Sequence, residues 1–363
     1  MKKSRFGKRL IIPIFIPHQG CPHRCVFCNQ KMVTDQGWET PSLDEIQNRI
    51  VSFLRTSKGR HERREAAFYG GSFTALPRAA QMIFLGGVKP FIEDGRIDAI
   101  RVSTRPDALD RDRLDLLRNF SVETVEVGAQ SMVDEVLRES ERGHTSRDVV
   151  ESVSLARSMG FEVGVQMMLG LPGEDMSLFL TSARRVIDLA PDFVRIYPLL
   201  VLRGSPLERL YKKGLYMPIS LMEAVEWAKA ALRLLEGANI RVIRMGLQAT
   251  PRLETSRTIL GGPYHPAFRS LVESSIFYDV ARSLLEHSKT EKGGKVRFRI
   301  APRDLSNLKG ERQKNVADLK SIFGLESIEI VQDPGIPLGR LVLENSRGSF
   351  AISRDLAEGH RFA

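Results

Sequence analysis

Three cysteines lie within eight residues near the start of the chain, at Cys21, Cys25 and Cys28, and the sequence contains no others. Thiolates are preferred ligands of iron–sulfur clusters and of structural zinc ions. Three thiolates can bind three irons of a [4Fe-4S] cube and leave the fourth iron open. A zinc ion needs a fourth ligand, which His18 or His23 can supply. Because an odd cysteine count argues against a disulfide framework, the spacing predicts a metal centre.

Length and composition bound the class of protein. A chain of 363 residues suffices for one large domain, or for one large and one small domain, without disulfides. The cysteine usage is typical of a reducing compartment. The apolar segment 10–16 is too short to span a membrane and lacks a cleavage site, so we expect a cytoplasmic protein without a membrane partner. The net charge of +10 permits an anionic partner such as nucleic acid.

The segments that must position the cysteines follow a repeating strand–helix pattern. A capping box at Ser42–Glu45 begins the first helix. Such repeats produce parallel strands joined by crossover helices. We therefore predict an α/β fold, a partial (β/α)6 TIM-like barrel followed by a small C-terminal α/β module. Strands are predicted near 10–17, 66–69, 98–104, 124–130, 162–168 and 193–197, with a candidate further strand at 240–244.

Three regions are predicted along the chain. Residues 1–245 form the barrel, residues 246–288 form a loop and a helix that close it, and residues 295–345 form the small module after a charged linker. The module is locally basic, which suits an RNA backbone. It has few aromatic residues for stacking on bases, which weakens that interpretation.

Several predicted strands alternate aliphatic with polar residues. Because helices cover the outside of such a barrel, the polar side chains should face the interior. Buried charges must be paired, so this interior set is either a satisfied ion-pair network or a substrate pocket, and we favour the pocket. Its members Glu126, Arg195 and Tyr197 are the candidate catalytic residues. The whole set is Arg101, Arg105, Glu126, Gln130, Gln166, Arg195 and Tyr197.

Short polar or glycine-rich motifs follow four successive strands. They are Gly70–Ser72, Ser103–Asp107, Gly128–Ser131 and Gly170–Gly173. Glycine lets a ligand approach the backbone closely. The carboxyl ends of barrel strands are also where active sites form. The four motifs together therefore predict a binding site at that end of the barrel.

The cysteine spacing, with Phe27 before the last cysteine, resembles the signature of the radical S-adenosylmethionine (SAM) superfamily. The resemblance implies a [4Fe-4S] cluster whose open iron binds SAM, and a 5′-deoxyadenosyl radical that abstracts hydrogen from a substrate. It also implies an electron donor such as a flavodoxin or ferredoxin. Ser72 stands where the family often has glutamate. The SAM contacts that the resemblance implies are Phe27, Gly70, Gly71, Ser72, Arg105, Gln130 and Gly170.

Further segments narrow the resemblance to the radical SAM domain of the Elongator catalytic subunit. They are Tyr69–Phe73, Val127–Ser131, Glu141–Thr145, Arg195–Leu199 and Arg203–Leu207. That subunit modifies a tRNA uridine, so a tRNA base is the expected substrate. A tetrapyrrole-like small molecule and a non-catalytic zinc-binding protein are the alternatives. The resemblance stops before the acetyltransferase domain of that subunit, which we expect this chain to lack.

Overall fold

The computed structural model describes residues 9–16, 21, 23–29, 40–57, 61–248, 250, 253 and 258–356. The chain forms two compact units. The first comprises Met1–Ser220 with Ile240–Pro263, and the second comprises Leu221–Asn239 with Tyr264–Ala363. The three regions expected from the sequence stay a prediction.

Seven parallel strands form the sheet of the first unit, in the order β1-β2-β3-β4-β5-β6-β8. Strands adjacent in this order follow one another along the chain, which confirms the predicted α/β half-barrel. The candidate strand at 240–244 is present as β8 and extends the sheet from six strands to seven. The bounds are β1 Arg9–Ile16, β2 Arg63–Gly70, β3 Ala99–Thr104, β4 Val122–Gln130, β5 Glu162–Leu169, β6 Phe193–Pro198, β7 Val201–Leu202, β8 Arg241–Met245 and β9 Ile259–Gly261. The short strands β7 and β9 pair antiparallel with each other.

Most helices in the first unit begin at a residue whose side chain caps the helix. Ser42 Oγ accepts from Glu45 N at 3.2 Å, and the Glu45 carboxylate accepts from Ser42 N at 2.7 Å, so the predicted capping box is confirmed. The Asp110 and Asp175 carboxylates cap two later helices by accepting from the amides of Arg113 and Leu178. The bounds are α1 Leu43–Thr56, α2 Arg78–Glu93, α3 Arg111–Asn119, α4 Asp134–Glu139, α5 Ser146–Ser158, α6 Met176–Asp188 and α7 Pro206–Lys212.

The two faces of the sheet differ as the alternation predicts. On β1 the residues Ile12, Ile14 and Ile16 are almost fully buried, and the residues between them are half-buried. Ile46 and Ile50 of α1 are fully buried as well. Burial of this aliphatic face stabilises each strand by about 1.5–3 kcal/mol for every large side chain. The opposite face is left to line the interior of the half-barrel.

The second unit combines helices with a four-stranded sheet of order β11-β10-β12-β13. The final strand was not predicted from the sequence. One helix begins only at Lys314, because Arg312 and Gln313 before it adopt left-handed backbone angles, with φ of 49° and 62°. The bounds are α8 Leu221–Gly237, α9 Phe268–His287, β10 Lys295–Ile300, α10 Leu305–Lys309, α11 Lys314–Phe323, β11 Ser327–Gln332, β12 Arg340–Asn345 and β13 Gly348–Ser353.

Several basic residues of the second unit already have acidic partners. Arg297 contacts Glu329 at 2.7 Å, and Arg299 contacts Glu344 at 3.0 Å. Such exposed pairs contribute little to stability, but they reduce the local positive charge. Separately, the described helices include none with the length and apolar character that a membrane span needs.

Candidate active site

The cysteine loop, residues 21–29, follows β1 at the carboxyl end of the sheet. Cys25 is 5% exposed, whereas Cys21 and Cys28 are half-buried, and none of the three forms a disulfide. The amide of Cys28 donates to the carbonyl of Cys25 at 3.0 Å, which closes a turn between them. His18 lies outside the described residues, so the structure tests only part of the zinc alternative.

Two segments far away in the sequence hold this loop. Val26 N donates to Ser140 O at 3.2 Å, and Leu207 N donates to Val26 O at 2.7 Å. Gly143 has a φ of +70°, and a Cβ on it would lie 2.5 Å from the His23 ring. Gly143 and Leu207 belong to motifs that the Elongator resemblance had singled out, and Ser140 directly precedes one of them. The structure therefore gives these motifs a shared role in fixing the cysteine loop.

Phe27 and its neighbour Val26 anchor the loop in apolar surroundings. Val26 is 3% exposed and belongs to a cluster of buried residues, against which the half-buried Phe27 packs. The other buried members are Val133, Val136, Leu171, Leu199, Val201, Leu207 and Tyr216. This packing limits where the flanking thiols can move.

Two buried arginines adjoin the thiols. Arg142 Nη1 donates to Cys25 Sγ at 3.0 Å, and its Nη2 donates to Gly128 O at 2.6 Å. Arg105 pairs with Asp107 at 2.8 Å and donates to the carbonyl of Arg142. Burial raises the pKa of the Cys21 thiol, an effect that Arg105 and Arg142 oppose. The two positive charges thus offset part of the cost of burying the Cys21 thiolate.

The Gly70-Gly71-Ser72 motif lies where β1 and β2 end together. Gly70 has a φ of +97°, and a Cβ on it would lie 2.6 Å from Ile16 O, so the backbone geometry itself requires glycine. Gly71 N donates to the same carbonyl at 3.1 Å. Ser72 is fully buried, and its hydroxyl bonds Thr104 at 2.8 Å. A narrow cleft lined in part by these three residues opens at this point.

Gln130 and Gly170 occupy the ends of β4 and β5. Gln130 is 5% exposed and has a φ of +68°, a strained conformation for a residue with a Cβ. It accepts a hydrogen bond from Gln166 at 3.1 Å. Gly170 N donates to a carboxylate oxygen of Glu174 at 2.9 Å, and its carbonyl accepts from Tyr216 at 2.7 Å. Side-chain bonds therefore fix both strand ends.

The interior of the half-barrel holds a network of paired charges. Arg101 is 2% exposed and contacts Glu65 at 2.7 Å and Glu126 at 2.8 Å. Arg9 contacts Glu65 at 3.0 Å and Glu162 at 2.8 Å. Burial tends to raise the pKa of Glu162, but its bond from Arg9 lowers it overall, so the carboxylate stays charged. A satisfied network was one of the two arrangements that the sequence left open.

The three candidate catalytic residues meet at one end of this network. Arg195 lies 3.0 Å from Glu126 and donates to Tyr69 at 2.7 Å and to Tyr197 at 3.3 Å. Tyr69 also donates to Glu126 at 3.2 Å. Burial and the charge of Glu126 raise the pKa of the Tyr69 phenol, which therefore stays neutral. The arrangement presents two phenols and a guanidinium as hydrogen-bonding groups.

Sequence reasoning missed several residues of the site. Glu65 was taken to precede its strand, although it shares the face of Tyr69 by the period of two. Arg9 and Glu162 lie at the beginnings of their strands, where charged residues usually face solvent. Arg142 was noted within a motif but not assigned a role. Only its contact with Cys25 shows that role, and no local pattern encodes that contact.

The residues present fit a cluster and an anionic cofactor. Three soft thiolate donors suit iron, and each thiolate of an iron–sulfur cube binds a different iron, so the ligands surround the cluster. Arg105 Nη1 and Arg142 Nε are buried donors without hydrogen-bond partners within the described structure. Buried donors normally have acceptors, so a bound anion such as a carboxylate suits them. Among the described residues, no three His, Cys, Asp or Glu side chains form a group that could hold a metal ion.

The fold and the cysteine loop define a class of protein that comparison with known families identifies. The family model of the Radical SAM superfamily matches residues 15–186, and that of the Radical_SAM C-terminal domain matches residues 191–277. The chain belongs to the radical SAM superfamily and is an enzyme of that class, which uses a [4Fe-4S] cluster and SAM.

Within that superfamily the chain is similar to Elongator-type proteins. It is 33% identical to the tRNA uridine(34) acetyltransferase of Methanocaldococcus jannaschii over 134 residues, which is 36% of this chain and 25% of that protein. It is 28% identical to human Elongator complex protein 3 over 278 residues, which is 64% of this chain and 50% of that protein. The chain thus spans between a quarter and a half of these relatives. The solved structure of Methanocaldococcus infernus Elp3 has the same fold, with a TM-score of 0.60, 21% identity, and coverage of 75% of this chain and 63% of that one.

Proposed function

We propose that Cys21, Cys25 and Cys28 are the cluster ligands of this radical SAM enzyme. The observation that carries the proposal is the hydrogen bond from Arg142 Nη1 to Cys25 Sγ, at 3.0 Å, in a loop held by two distant segments. This bond places a buried positive charge beside a sulfur atom that would bind iron as a thiolate. The loop is also placed before any ligand binds, because Val26 and Phe27 anchor it in the apolar cluster.

Around the cluster we propose a SAM site at the strand ends. Arg105, together with Arg142, supplies buried donors for the carboxylate of SAM, which accounts for their unpartnered nitrogens. Gly70 and Gly71 offer backbone atoms at the narrow cleft. Ser72 acts through its backbone, because its hydroxyl is bonded to Thr104. The full set of proposed SAM contacts is Phe27, Gly70, Gly71, Ser72, Arg105, Gln130 and Gly170.

When bound, the reduced cluster and SAM supply a 5′-deoxyadenosyl radical that abstracts hydrogen from a substrate. The protein's own part is to hold the substrate inside the half-barrel and to exclude water. Arg195 and Tyr197 donate hydrogen bonds to it, and Glu126 keeps Arg195 oriented at 3.0 Å. A one-electron donor such as a flavodoxin or ferredoxin reduces the cluster. A cytoplasmic location remains the expectation from the cysteine usage.

The proposed substrate is a tRNA base. The support is the similarity to a tRNA uridine(34) acetyltransferase and to Elongator complex protein 3. The net charge of +10 also suits an RNA partner, whose phosphates dominate affinity.

Anaerobic reconstitution tests the cluster. Wild-type protein should bind about four irons per chain with matching sulfide and give an electron paramagnetic resonance (EPR) signal after reduction. Cys25→Ser should lose the cluster. Ser140→Ala is the matched control, since Ser140 holds Val26 through its backbone and its buried hydroxyl has no partner in the described structure. Zinc without sulfide in the wild type would favour the zinc-binding interpretation instead.

Product analysis tests the reaction. Reduced enzyme should form 5′-deoxyadenosine from SAM, and a tRNA transcript should increase its yield. Binding of the transcript should weaken steeply with salt, because phosphate contacts release counterions. No 5′-deoxyadenosine under any condition would contradict the radical mechanism. Equal yields with and without tRNA would contradict the tRNA substrate alone.

A further inference from the structure

A helix bonded to the cysteine loop presents an exposed surface that the proposed chemistry does not use. Leu207 N in the first turn of α7 donates to Val26 O at 2.7 Å, and the Asn29 side chain donates to Arg203 O. The α7 face begins at this contact and runs away from it along the chain. We define the α7 face as the exposed side chains of Arg203, Arg209, Lys212, Lys213, Leu215 and Met217.

The α7 face is positively charged. The single acidic residue within 203–217 is Glu208, which pairs with Lys212 at 2.6 Å. Arg24, exposed on the cysteine loop itself, adds another positive charge. The other segment bonded to Val26, around Ser140, differs, because four of the five exposed charged residues within 134–141 are acidic, namely Asp134, Glu135, Glu139 and Glu141 beside Arg138. An acidic partner that approaches the loop would therefore be drawn to its α7 side.

The α7 face also carries two large apolar side chains that are unusually exposed. Leu215 is 71% exposed and Met217 is 78% exposed. Exposed apolar side chains rimmed by charge mark protein interaction sites. RNA contacts rely on basic and aromatic side chains, and the exposed residues of this face include no aromatic one. The combination therefore fits a protein better than a nucleic acid.

We propose that the α7 face, with Arg24, is the docking surface for an acidic one-electron carrier protein of the flavodoxin or ferredoxin kind. The inference rests on the proposed cluster at Cys21, Cys25 and Cys28, which the carrier would reduce. Electron transfer slows steeply with distance, so a carrier must sit close to the loop that holds the cluster. The helix that carries the α7 face is bonded directly to this loop, because Leu207 N donates to the carbonyl of Val26, which lies between Cys25 and Cys28. Basic residues there steer the carrier, and Leu215 and Met217 provide its apolar contact.

The test uses a flavodoxin as the probe and the double variant Arg209→Glu/Lys213→Glu. The matched control is Arg78→Glu/Arg111→Glu, which reverses two exposed arginines of α2 and α3 in the same unit. Photoreduced flavodoxin should bleach the cluster about tenfold more slowly in the α7 variant than in the wild type or the control. Dithionite, a small reductant that needs no docking, should reduce all three equally. The flavodoxin rate of the wild type should fall with salt, and that of the α7 variant should not.

Binding separates failure of the docking proposal from failure of the cluster proposal. Flavodoxin affinity is measured by calorimetry at low salt on protein with and without reconstituted cluster. Weaker binding by the α7 variant in both forms supports docking, even if the cluster fails to assemble. Equal binding and equal flavodoxin rates for all three proteins would overturn the inference, and so would a parallel loss of the dithionite rate. Loss of tRNA-transcript binding with unchanged flavodoxin binding would make this an RNA surface and would also overturn it.

Discussion

Replacing Gly164 by alanine should overpack the interior of the half-barrel. Gly164 on β5 lies opposite Phe193 on β6, and a Cβ at this glycine would lie 2.2 Å from the Phe193 ring. Ordinary carbon contacts are about 3.5–4.0 Å, so the ring must retreat by more than about 1 Å. Phe193 is 2% exposed, and the guanidinium of Arg101 lies 5.0 Å from its ring centre. Movement of the ring therefore displaces the Arg101 guanidinium, which Glu65 and Glu126 hold in place.

The size of the effect follows from that confinement. Overpacking of a buried site costs about 1–3 kcal/mol, and displacement of a paired arginine adds to it. For a unit of this size, each kcal/mol corresponds to roughly 2–4 °C in Tm, so we expect a fall of about 2–12 °C. Differential scanning calorimetry and urea denaturation measure both quantities. Gly86→Ala is the control, because a Cβ there would meet no atom within 4 Å and alanine favours the helix interior.

A double-mutant cycle isolates the proposed contact. Phe193→Leu removes the ring atoms that would collide, so Gly164→Ala should cost at least 1 kcal/mol less in that background than in the wild type. A Gly164→Ala protein that unfolds at the wild-type temperature would refute the reasoning. An equal cost in both backgrounds would show that the strain comes from the backbone of β5 and not from the ring.

Three further predictions concern the loop, the charge network and a strand end. Gly143→Ala should push the His23 ring and displace the cysteine loop, so iron per chain after reconstitution should fall by about half or more. Adding His23→Ala should restore part of that iron, because it removes the ring that the new Cβ would meet. No restoration would show that the loss comes from the backbone φ of +70° and not from the ring. Glu126→Gln should lower the free energy of unfolding by about 3–5 kcal/mol in urea, because Arg101 and Arg195 lose a buried partner; a loss below about 1 kcal/mol would contradict a tight network. Burial raises the pKa of Glu174 to about 8, against the bonds from the Leu171 and Gly170 amides. The folded state then binds more protons than the unfolded state between about pH 4.5 and pH 8, so wild-type stability should fall over that range while Glu174→Gln stays flatter, and parallel pH profiles would refute the shift.

Local pattern was enough to predict the sheet and the position of the cysteine loop. Strand and helix periodicity is visible over a few residues, so six strands and the capping box at Ser42 could be predicted from the sequence. Polar alternation on β4, where Glu126 lies between Val125 and Val127, also indicated a charged interior. These features depend on neighbours along the chain and need no knowledge of the packing.

Contacts between distant parts of the chain could not be predicted from the sequence, because strand and helix periodicity does not encode them. Val26 bonds Ser140 and Leu207, and each partner lies more than a hundred residues away. The role of Arg142 depends on such a contact with Cys25. Glu65 was missed because the strand was predicted to begin at residue 66, although Glu65 lies on the same face of β2 as Tyr69. The sequence alone does not tell whether a charged side chain in a strand faces solvent or a buried partner of opposite charge.

The distribution of charge separates the two parts of the site. Inside the half-barrel Arg9, Arg101 and Arg195 are matched by Glu65, Glu126 and Glu162, so the field that an incoming group meets there is small. At the strand ends Arg105 pairs with Asp107, and Arg105 and Arg142 each keep a buried donor without a hydrogen-bond partner in the described structure.

This separation has a consequence for what can bind at each place. An anionic group gains most at the strand ends, beside the thiols, where buried positive charge is in excess. A neutral, hydrogen-bonding group suits the interior, because a charged one would disturb pairs that are already satisfied and would lose its own hydration. The ring of a nucleobase meets that requirement, whereas its phosphate does not. If the proposed tRNA is the substrate, the charge pattern predicts that its base enters the half-barrel and that its backbone stays at the rim.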